Sequence, residues 1–308
     1  MIEPLDPGSA RLTLNILGPV QVLTPRTSDA SALTTHPKGL AVLVYLLLVG
    51  DGSCVSREGI TGVFWPDADD RHGRGSLRQV MRVLRATLGA DSLVDRGTEY
   101  VGVADGVLTC DAAAFEMLLD RGRHLEAMRL YRGDLLDGFP FRGGHAWDEW
   151  LEGRRAHYRD LAGAAAWGLA ESAEHDGDRA AAASWGKTAV GLSPRNETAL
   201  CKLIELLARV GDRSGAFRAY RGLVQWLDDE FGVQPSPEMR RCIERLRREP
   251  DVEAPTDPPR RAPADRRHDE RRAAGPAHVQ HERRLLPERR SGHDRRGGTD
   301  RRDPLDGL

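Results

Sequence analysis

Residues 69–89 separate apolar and basic side chains onto two faces of a predicted helix. At roughly 100° per residue, the aliphatic side chains fall within an arc of about 100° and the arginines within an adjacent arc of about 80°. The aliphatic set is Leu77, Val80, Met81, Leu84 and Leu88, and the basic set is Arg71, Arg74, Arg78, Arg82 and Arg85. Such a helix can pack on a core through one face and present guanidinium groups to phosphate or guanine with the other. A solvated surface face is the alternative interpretation of the same arginines.

The charge of the chain makes this basic run stand out. The 308 residues carry a formal net charge of −2, so no global basic field points to nucleic acid. The first 110 residues hold ten Lys and Arg against twelve Asp and Glu, yet no acidic residue lies between Arg71 and Ala90. Any attraction to a polyanion is therefore expected to be local.

Cysteine usage and hydropathy predict a cytoplasmic protein. The four cysteines are Cys54, Cys110, Cys201 and Cys242. They form no CxxC pair, which argues against a zinc or dithiol site, so we expect free thiols, no metal and no cofactor. The longest apolar run, residues 40–49, is too short to span a bilayer, and the N-terminus has no signal pattern. No membrane association is predicted.

The first 110 residues follow the order of a winged helix-turn-helix. Residues 12–23 alternate in polarity and predict strands broken at Gly18-Pro19, and Ser56 is a predicted N-cap. The predicted elements that follow are helices at 37–49 and 57–65, the arginine helix ending at Gly89, and strands at 93–95, 100–104 and 107–110. In this α+β arrangement, with an N-terminal sheet, the third helix enters the major groove.

The second part of the chain predicts helices with a repeat. Gly177-Asp178-Arg179 recurs as Gly211-Asp212-Arg213, a spacing of 34 residues, after a longer predicted helix at 146–175. In the same register Ala182 matches Ala216 and Val190 matches Val224. This period is typical of tetratricopeptide repeats, so an all-α tetratricopeptide-like domain is predicted. Coincidence between two alanine-rich helical hairpins is the alternative.

Residues 250–308 differ in composition from the rest. They hold eight of the eighteen prolines, fourteen arginines and twelve acidic residues, with no aromatic residue and a hexad of the type ERRLLP from Glu282. Such a segment cannot bury enough apolar surface to offset its ordering entropy, so a disordered tail is predicted. A solubilising linker and a weak electrostatic tether are both compatible with it.

No enzyme motif is found. The chain lacks GxxxxGK[ST], HExxH and GxSxG patterns, and its histidines have no ligand-spaced partner. His145 and Asp148 are three residues apart, but such a pair is typical of a protein surface. The tryptophans at 147, 150, 167, 185 and 226 are interpreted as core or inter-repeat packing. We therefore expect a binding protein rather than an enzyme.

Both halves resemble the Streptomyces antibiotic regulatory proteins. The first half resembles their OmpR-type winged helix, and the second resembles their bacterial transcriptional activation domain, a tetratricopeptide-like bundle. The segments that carry the resemblance, specific as an ordered set, are Pro37-Lys38, VFWPDAD at 63–69, GSLRQVMRVLRATLG at 75–89, LVDRGTEYVGV at 93–103, DAAAFEMLL at 111–119, YRGDLLDGF at 131–139, WDEWLEGRRAHY at 147–158 and FGVQPSPE at 231–238. The resemblance covers about residues 12–249 and implies a DNA-binding transcriptional regulator, usually an activator.

Two departures from the family pattern bear on the site. Each glycine inside a helix costs on the order of 1 kcal/mol against alanine. Gly73 and Gly75 therefore predict that the recognition helix begins late, near Ser76, with the arginines at 71 and 74 on a loop. Glu99 stands in the wing where the family tends to have glycine, which predicts weaker wing contact with phosphate.

The predicted DNA-binding residues fall into groups with different roles. The residues expected to approach base edges are Arg78, Gln79 and Arg82. The residues expected to contact phosphates are Arg74, Ser76, Arg85 and Arg96. Arg71 and Thr98 complete the set.

The sequence thus predicts a winged helix at 1–110, a tetratricopeptide-like domain at 111–249 and a tail at 250–308. The expected function is a sequence-specific DNA-binding regulator in the bacterial cytoplasm, associated with the nucleoid. Its expected partners are double-stranded DNA, RNA polymerase or another transcription protein, and a second protomer in a homodimer. The alternative is a protein-interaction adaptor whose winged helix no longer binds DNA. A third hypothesis, an enzyme with a dispersed site, has no motif behind it.

Overall fold

The computed structural model describes residues 12–23, 33–49, 54–193 and 196–248. Residues 24–32 and the predicted tail at 250–308 lie outside these residues. Element bounds below refer to the described residues.

A three-stranded N-terminal sheet opens the fold. Its strands are β1 (Leu12–Asn15), β2 (Gln21–Leu23) and β6 (Leu108–Cys110), in the order β2-β1-β6. The predicted break between the first two strands is confirmed, and Gly18 turns the chain there with φ of +116°. The sequence places the strand at 107–110 directly after the wing. The structure pairs β6 in parallel with β1, with Leu12 opposite Leu108.

The winged helix consists of three helices and a second sheet. The helices are α1 (Pro37–Val49), α2 (Arg57–Phe64) and α3 (Asp70–Leu88). A short 3₁₀ helix at Ala90–Ser92 leads into the wing, and the sheet β3-β5-β4 is formed by β3 (Val55–Ser56), β4 (Leu93–Arg96) and β5 (Tyr100–Val103). Ser56 caps α2, because its hydroxyl accepts the backbone N–H of Gly59 at 2.9 Å. The predicted winged helix and this cap are confirmed.

The rest of the described chain is helical. Its helices are α4 (Asp111–Asp120), α5 (His124–Leu130), α6 (His145–His175), α7 (Arg179–Leu192), α8 (Glu197–Arg209), α9 (Arg213–Phe231) and α10 (Pro237–Arg248). The two copies of the 34-residue unit start alike. Asp178 accepts the N–H of Ala181 at 2.9 Å, and Asp212 accepts that of Gly215 at 2.8 Å. Each follows a glycine with positive φ, so the repeated sequence encodes the same turn and helix cap twice.

One core joins the winged helix to the first part of the helical region. Its buried side chains run from Leu12 to Ala162. Trp147 of α6 is fully buried, and its ring centroid lies 5.0 Å from that of Phe64 in α2. The interpretation of Trp147 as a packing residue is confirmed. Later helices pack around separate clusters.

Backbone contacts also connect the winged-helix region to the first part of the helical region. Residues 131–137 run beside the end of β1, where Leu17 bridges to Leu135 and Pro19 to Asp137. The buried carboxylate of Asp111 accepts the N–H groups of residues 16 and 17 at 2.8 and 3.1 Å. Burial raises the pKa of Asp111, while these two donors and Arg132 oppose that rise. These contacts therefore connect the segments before and after residue 110. The sequence predicts a domain boundary at this residue, and that boundary stays a prediction.

Candidate nucleic-acid interface

The arginine helix begins six residues earlier than the glycines predict. α3 starts at Asp70, and its N-cap Asp69 accepts the N–H of His72 at 2.9 Å. The same hydrogen bond lowers the pKa of the Asp69 carboxyl. Gly73 is buried, and a Cβ there would lie 3.6 Å from the Cβ of Thr61 in α2. The expectation of a start near Ser76, with Arg71 and Arg74 on a loop, is therefore wrong, since the cap and the packing on α2 outweigh the cost of two glycines.

The two faces of α3 separate as the sequence indicates. Leu77, Met81 and Leu84 are fully buried, and the side chains at 80 and 88 are half-buried against the same core. The exposed residues of the predicted set on this helix are Arg71, Arg74, Arg78, Gln79 and Arg82, and Ser76 is half-buried. The helix thus packs through its apolar stripe and presents four arginines to solvent.

Arg85 differs from the other four arginines because it is paired. Its guanidinium donates to Oδ2 of Asp95 at 2.7 Å, while Arg57 donates to Oδ1 of the same carboxylate at 2.6 Å. Asp95 therefore binds α2, α3 and strand β4 together. Sequence reasoning missed both Arg57 and Asp95, since they are 38 residues apart and only the folded wing brings them together.

The wing lies beside the start of α2. Arg96 pairs with Tyr100 across the hairpin, and Gly97 turns the chain with φ of +62°. The Thr98 hydroxyl donates to the Glu99 carboxylate at 3.2 Å, and the carbonyl of Glu99 accepts the N–H of Arg57 at 2.8 Å. The predicted wing residues at 96 and 98 are exposed, so both face solvent at the tip of the hairpin.

A cleft of about 540 Å³ lies between α3 and the wing. Its basic lining comes from Arg57, Arg74, Arg78 and Arg85, and its acidic lining from Glu58, Asp95 and Glu99. The charges nearly balance inside the cleft. The uncompensated positive charge lies on the exposed face of α3 instead, where Arg71 and Arg82 have no acidic neighbour among the ion pairs of the described residues.

Two general features accompany this surface. None of the described helices is long and apolar enough to cross a membrane. Within the described ranges, no group of three or more His, Cys, Asp or Glu side chains is placed to hold a metal ion. All four cysteines are free, as predicted.

Comparisons with known proteins agree with this architecture. Residues 110–247 match the family described as bacterial transcriptional activator domain, a family of transcription regulators rather than enzymes. A solved structure of Mycobacterium tuberculosis EmbR in complex with a low affinity phosphopeptide is similar in fold, with a TM-score of 0.55 and 24% sequence identity. The match covers 78% of this chain and 66% of the EmbR chain, just under two thirds of its length. No curated protein matches.

The matched domain follows a winged helix in this chain. A winged helix with an N-terminal sheet precedes a helical region that carries the matched domain from residue 110 onward. The chain therefore combines a winged helix with a helical region that matches the bacterial transcriptional activator domain.

Proposed function

We propose that this chain binds duplex DNA in a sequence-specific manner through α3 and regulates transcription, as an activator. The observation that carries the proposal is the exposed arginine row on a helix whose adjacent face is packed into the winged-helix core. A helix anchored in this way can enter the major groove without unfolding, and guanidinium groups read guanine in a bidentate manner.

The proposed contacts follow the geometry of α3 and the wing. Arg78, Gln79 and Arg82 project from the middle of the helix and reach base edges. The residues assigned to phosphates are Arg71, Arg74, Ser76, Arg96 and Thr98. Arg85 binds Asp95 with one nitrogen, and a guanidinium has further N–H donors that remain for a phosphate.

The helical region is proposed to contact RNA polymerase, another transcription protein or a second protomer. The match of residues 110–247 to a transcriptional activator domain supports this assignment. Such a protein acts in the bacterial cytoplasm, next to the nucleoid. The phosphopeptide belongs to the EmbR complex, and a phosphopeptide ligand is not part of this proposal.

A protein-interaction adaptor is the second candidate function. It is favoured by the carboxylates of Glu58, Asp95 and Glu99, which line the cleft beside the arginines and would repel nearby phosphates. In that case the winged helix serves only as a scaffold, and the protein does not distinguish DNA sequences.

Selection from a random duplex library, followed by fluorescence anisotropy on the best site, separates the two. We expect Arg78→Ala and Arg82→Ala each to cost about 1–3 kcal/mol of binding and to relax base preference at one position. The matched control replaces Arg221 and Arg240, exposed arginines on α9 and α10, and should leave affinity unchanged. No enriched sequence, or equal losses for both pairs, would favour the adaptor.

A further inference from the structure

Two cysteines that are 41 residues apart in sequence lie together between α8 and α10. Cys201 belongs to α8, and Met239 and Cys242 lie one turn apart on α10. The Sγ of Cys201 is 3.7 Å from the Sδ of Met239, and the Cys242 thiol donates to the Cys201 carbonyl at 3.9 Å. Two sulfur atoms from two helices are thus in contact, and the Cys242 thiol lies against the backbone of Cys201.

The three sulfur-containing side chains differ in their exposure to solvent. Met239 is fully buried and Cys242 is 4% exposed, whereas Cys201 is half-buried. Both thiols line a groove of about 500 Å³ between the two helices, with Glu205 and Arg245 at its rim. A small solute can therefore reach the Cys201 thiol without separating α8 from α10.

We propose that Cys201, Cys242 and Met239 bind one Cu(I) ion. Thiolate and thioether ligands select soft monovalent copper, whereas zinc takes thiolate, imidazole or carboxylate ligands. In a trigonal site with metal–sulfur bonds of about 2.3 Å, the sulfur atoms lie about 4 Å apart. The observed separation of 3.7 Å between the Cys201 and Met239 sulfur atoms is close to this value.

Binding of Cu(I) also requires that both thiols lose their protons. A Cu(I) ion bound by two thiolates and one neutral thioether displaces two thiol protons into solvent and leaves a site of net charge −1. Apparent affinity therefore rises with pH.

Binding at this position would join α10 to the repeat that contains α8. Both helices contribute ligands, so the ion binds the folded arrangement in preference to the unfolded chain and stabilises it. The site is independent of the arginine helix, because none of its ligands belongs to the winged helix.

The test is anaerobic competition for Cu(I) between the full, reduced chain and the chromophoric chelator bathocuproine disulfonate. The chain should withdraw one equivalent of Cu(I), with proton release in weakly buffered solution. Cys201→Ser should lower the affinity at least about a hundredfold, and Met239→Leu about tenfold, since the thioether is the weaker ligand. Cys54→Ser, which changes a half-buried thiol elsewhere, is the matched control and should bind as the parent chain does.

Two controls keep the result interpretable. Cys242 is buried, so Cys242→Ser is used only if its circular dichroism equals that of the parent, and Cys201→Ser is the decisive variant. Failure to withdraw Cu(I) from the chelator would overturn the proposal. Unchanged Cu(I) affinity in Cys201→Ser would also overturn it, because other groups would then hold the ion. An equal loss of affinity in Cys54→Ser would overturn it as well.

Discussion

Replacing Trp147 by alanine tests whether the winged helix and the start of the helical region share one core. Trp147 belongs to α6, yet its buried ring lies 5.0 Å from Phe64 of α2, 5.0 Å from Trp150 and 5.6 Å from Phe141. Removing a buried tryptophan leaves a cavity that these rings cannot fill, so we expect the free energy of unfolding to fall by about 3–5 kcal/mol. That is a large part of the roughly 5–15 kcal/mol that stabilises a typical protein.

The location of the damage distinguishes a shared core from two independent domains. Urea denaturation gives the total loss, and hydrogen exchange followed by mass spectrometry gives its distribution. In Trp147→Ala, amides of α2 and β1 should exchange faster together with those of α6. Trp185→Ala is the matched control, because Trp185 is half-buried in α7 and packs on a separate cluster. Faster exchange confined to α6 would refute the shared core.

Trp147→Phe gives a finer test of the same contact. The indole N–H of Trp147 is buried and has no hydrogen-bond partner among the described residues. A buried donor without a partner costs about 1–3 kcal/mol. Phenylalanine removes that donor and keeps an aromatic ring beside Phe64, so we expect a net loss below about 1.5 kcal/mol. A loss equal to that of Trp147→Ala would show that the N–H is bonded in solution.

Three further predictions concern other parts of the chain. Gly75→Ala should raise the free energy of unfolding by about 0.4–1 kcal/mol in urea denaturation, because a Cβ there meets nothing within 4 Å and the backbone is helical; a decrease would contradict the placement of Gly75 inside α3. Asp95→Asn should strengthen DNA binding and steepen its salt dependence by about one phosphate contact, since Arg85 loses its carboxylate partner, and an unchanged slope in anisotropy titrations would contradict this. Arg209 donates to Glu174 at 2.6 and 3.0 Å and lowers the pKa of that carboxyl, so the pair stabilises at neutral pH and its contribution is lost as the pH falls through that lowered pKa. In Glu174→Gln, the free energy of unfolding measured in urea from pH 7 to 3 should therefore fall less on acidification than in the parent, by at most about 1 kcal/mol.

Structural features that depend only on residues close together in the sequence could be predicted. The helix at Pro37–Val49 has its predicted bounds, and Ser56 caps a helix where its position indicates. An N-cap depends on one side chain and on an N–H two or three residues later, so its signal is contained in a few positions. The split of α3 into two faces is predictable for the same reason, because helical periodicity alone fixes it.

Features that depend on tertiary contacts could not be predicted. The prediction that α3 begins near Ser76 is wrong because the sequence shows only the cost of the two glycines. The packing of Gly73 near Thr61, which offsets that cost, is visible only in the folded structure. The pairing of Asp95 with two arginines depends on the folded position of the wing. The convergence of Cys201 and Cys242 depends on how α10 returns to α8, and no short motif records it.

The segment YRGDLLDGF shows how a sequence pattern without a predicted role can determine how two regions are joined. Its backbone runs beside β1, and Arg155 of α6 donates to the carbonyls of Leu135 and Leu136 at 2.9 and 3.2 Å. Leu136 is buried with φ of +54°, a conformation that costs an ordinary residue energy and persists only where surrounding contacts hold it. These contacts fix the first helices of the activator domain to the sheet of the winged helix. If α3 binds DNA as proposed, a partner on these helices is held at a fixed position on the duplex, which raises its effective concentration there without any new contact.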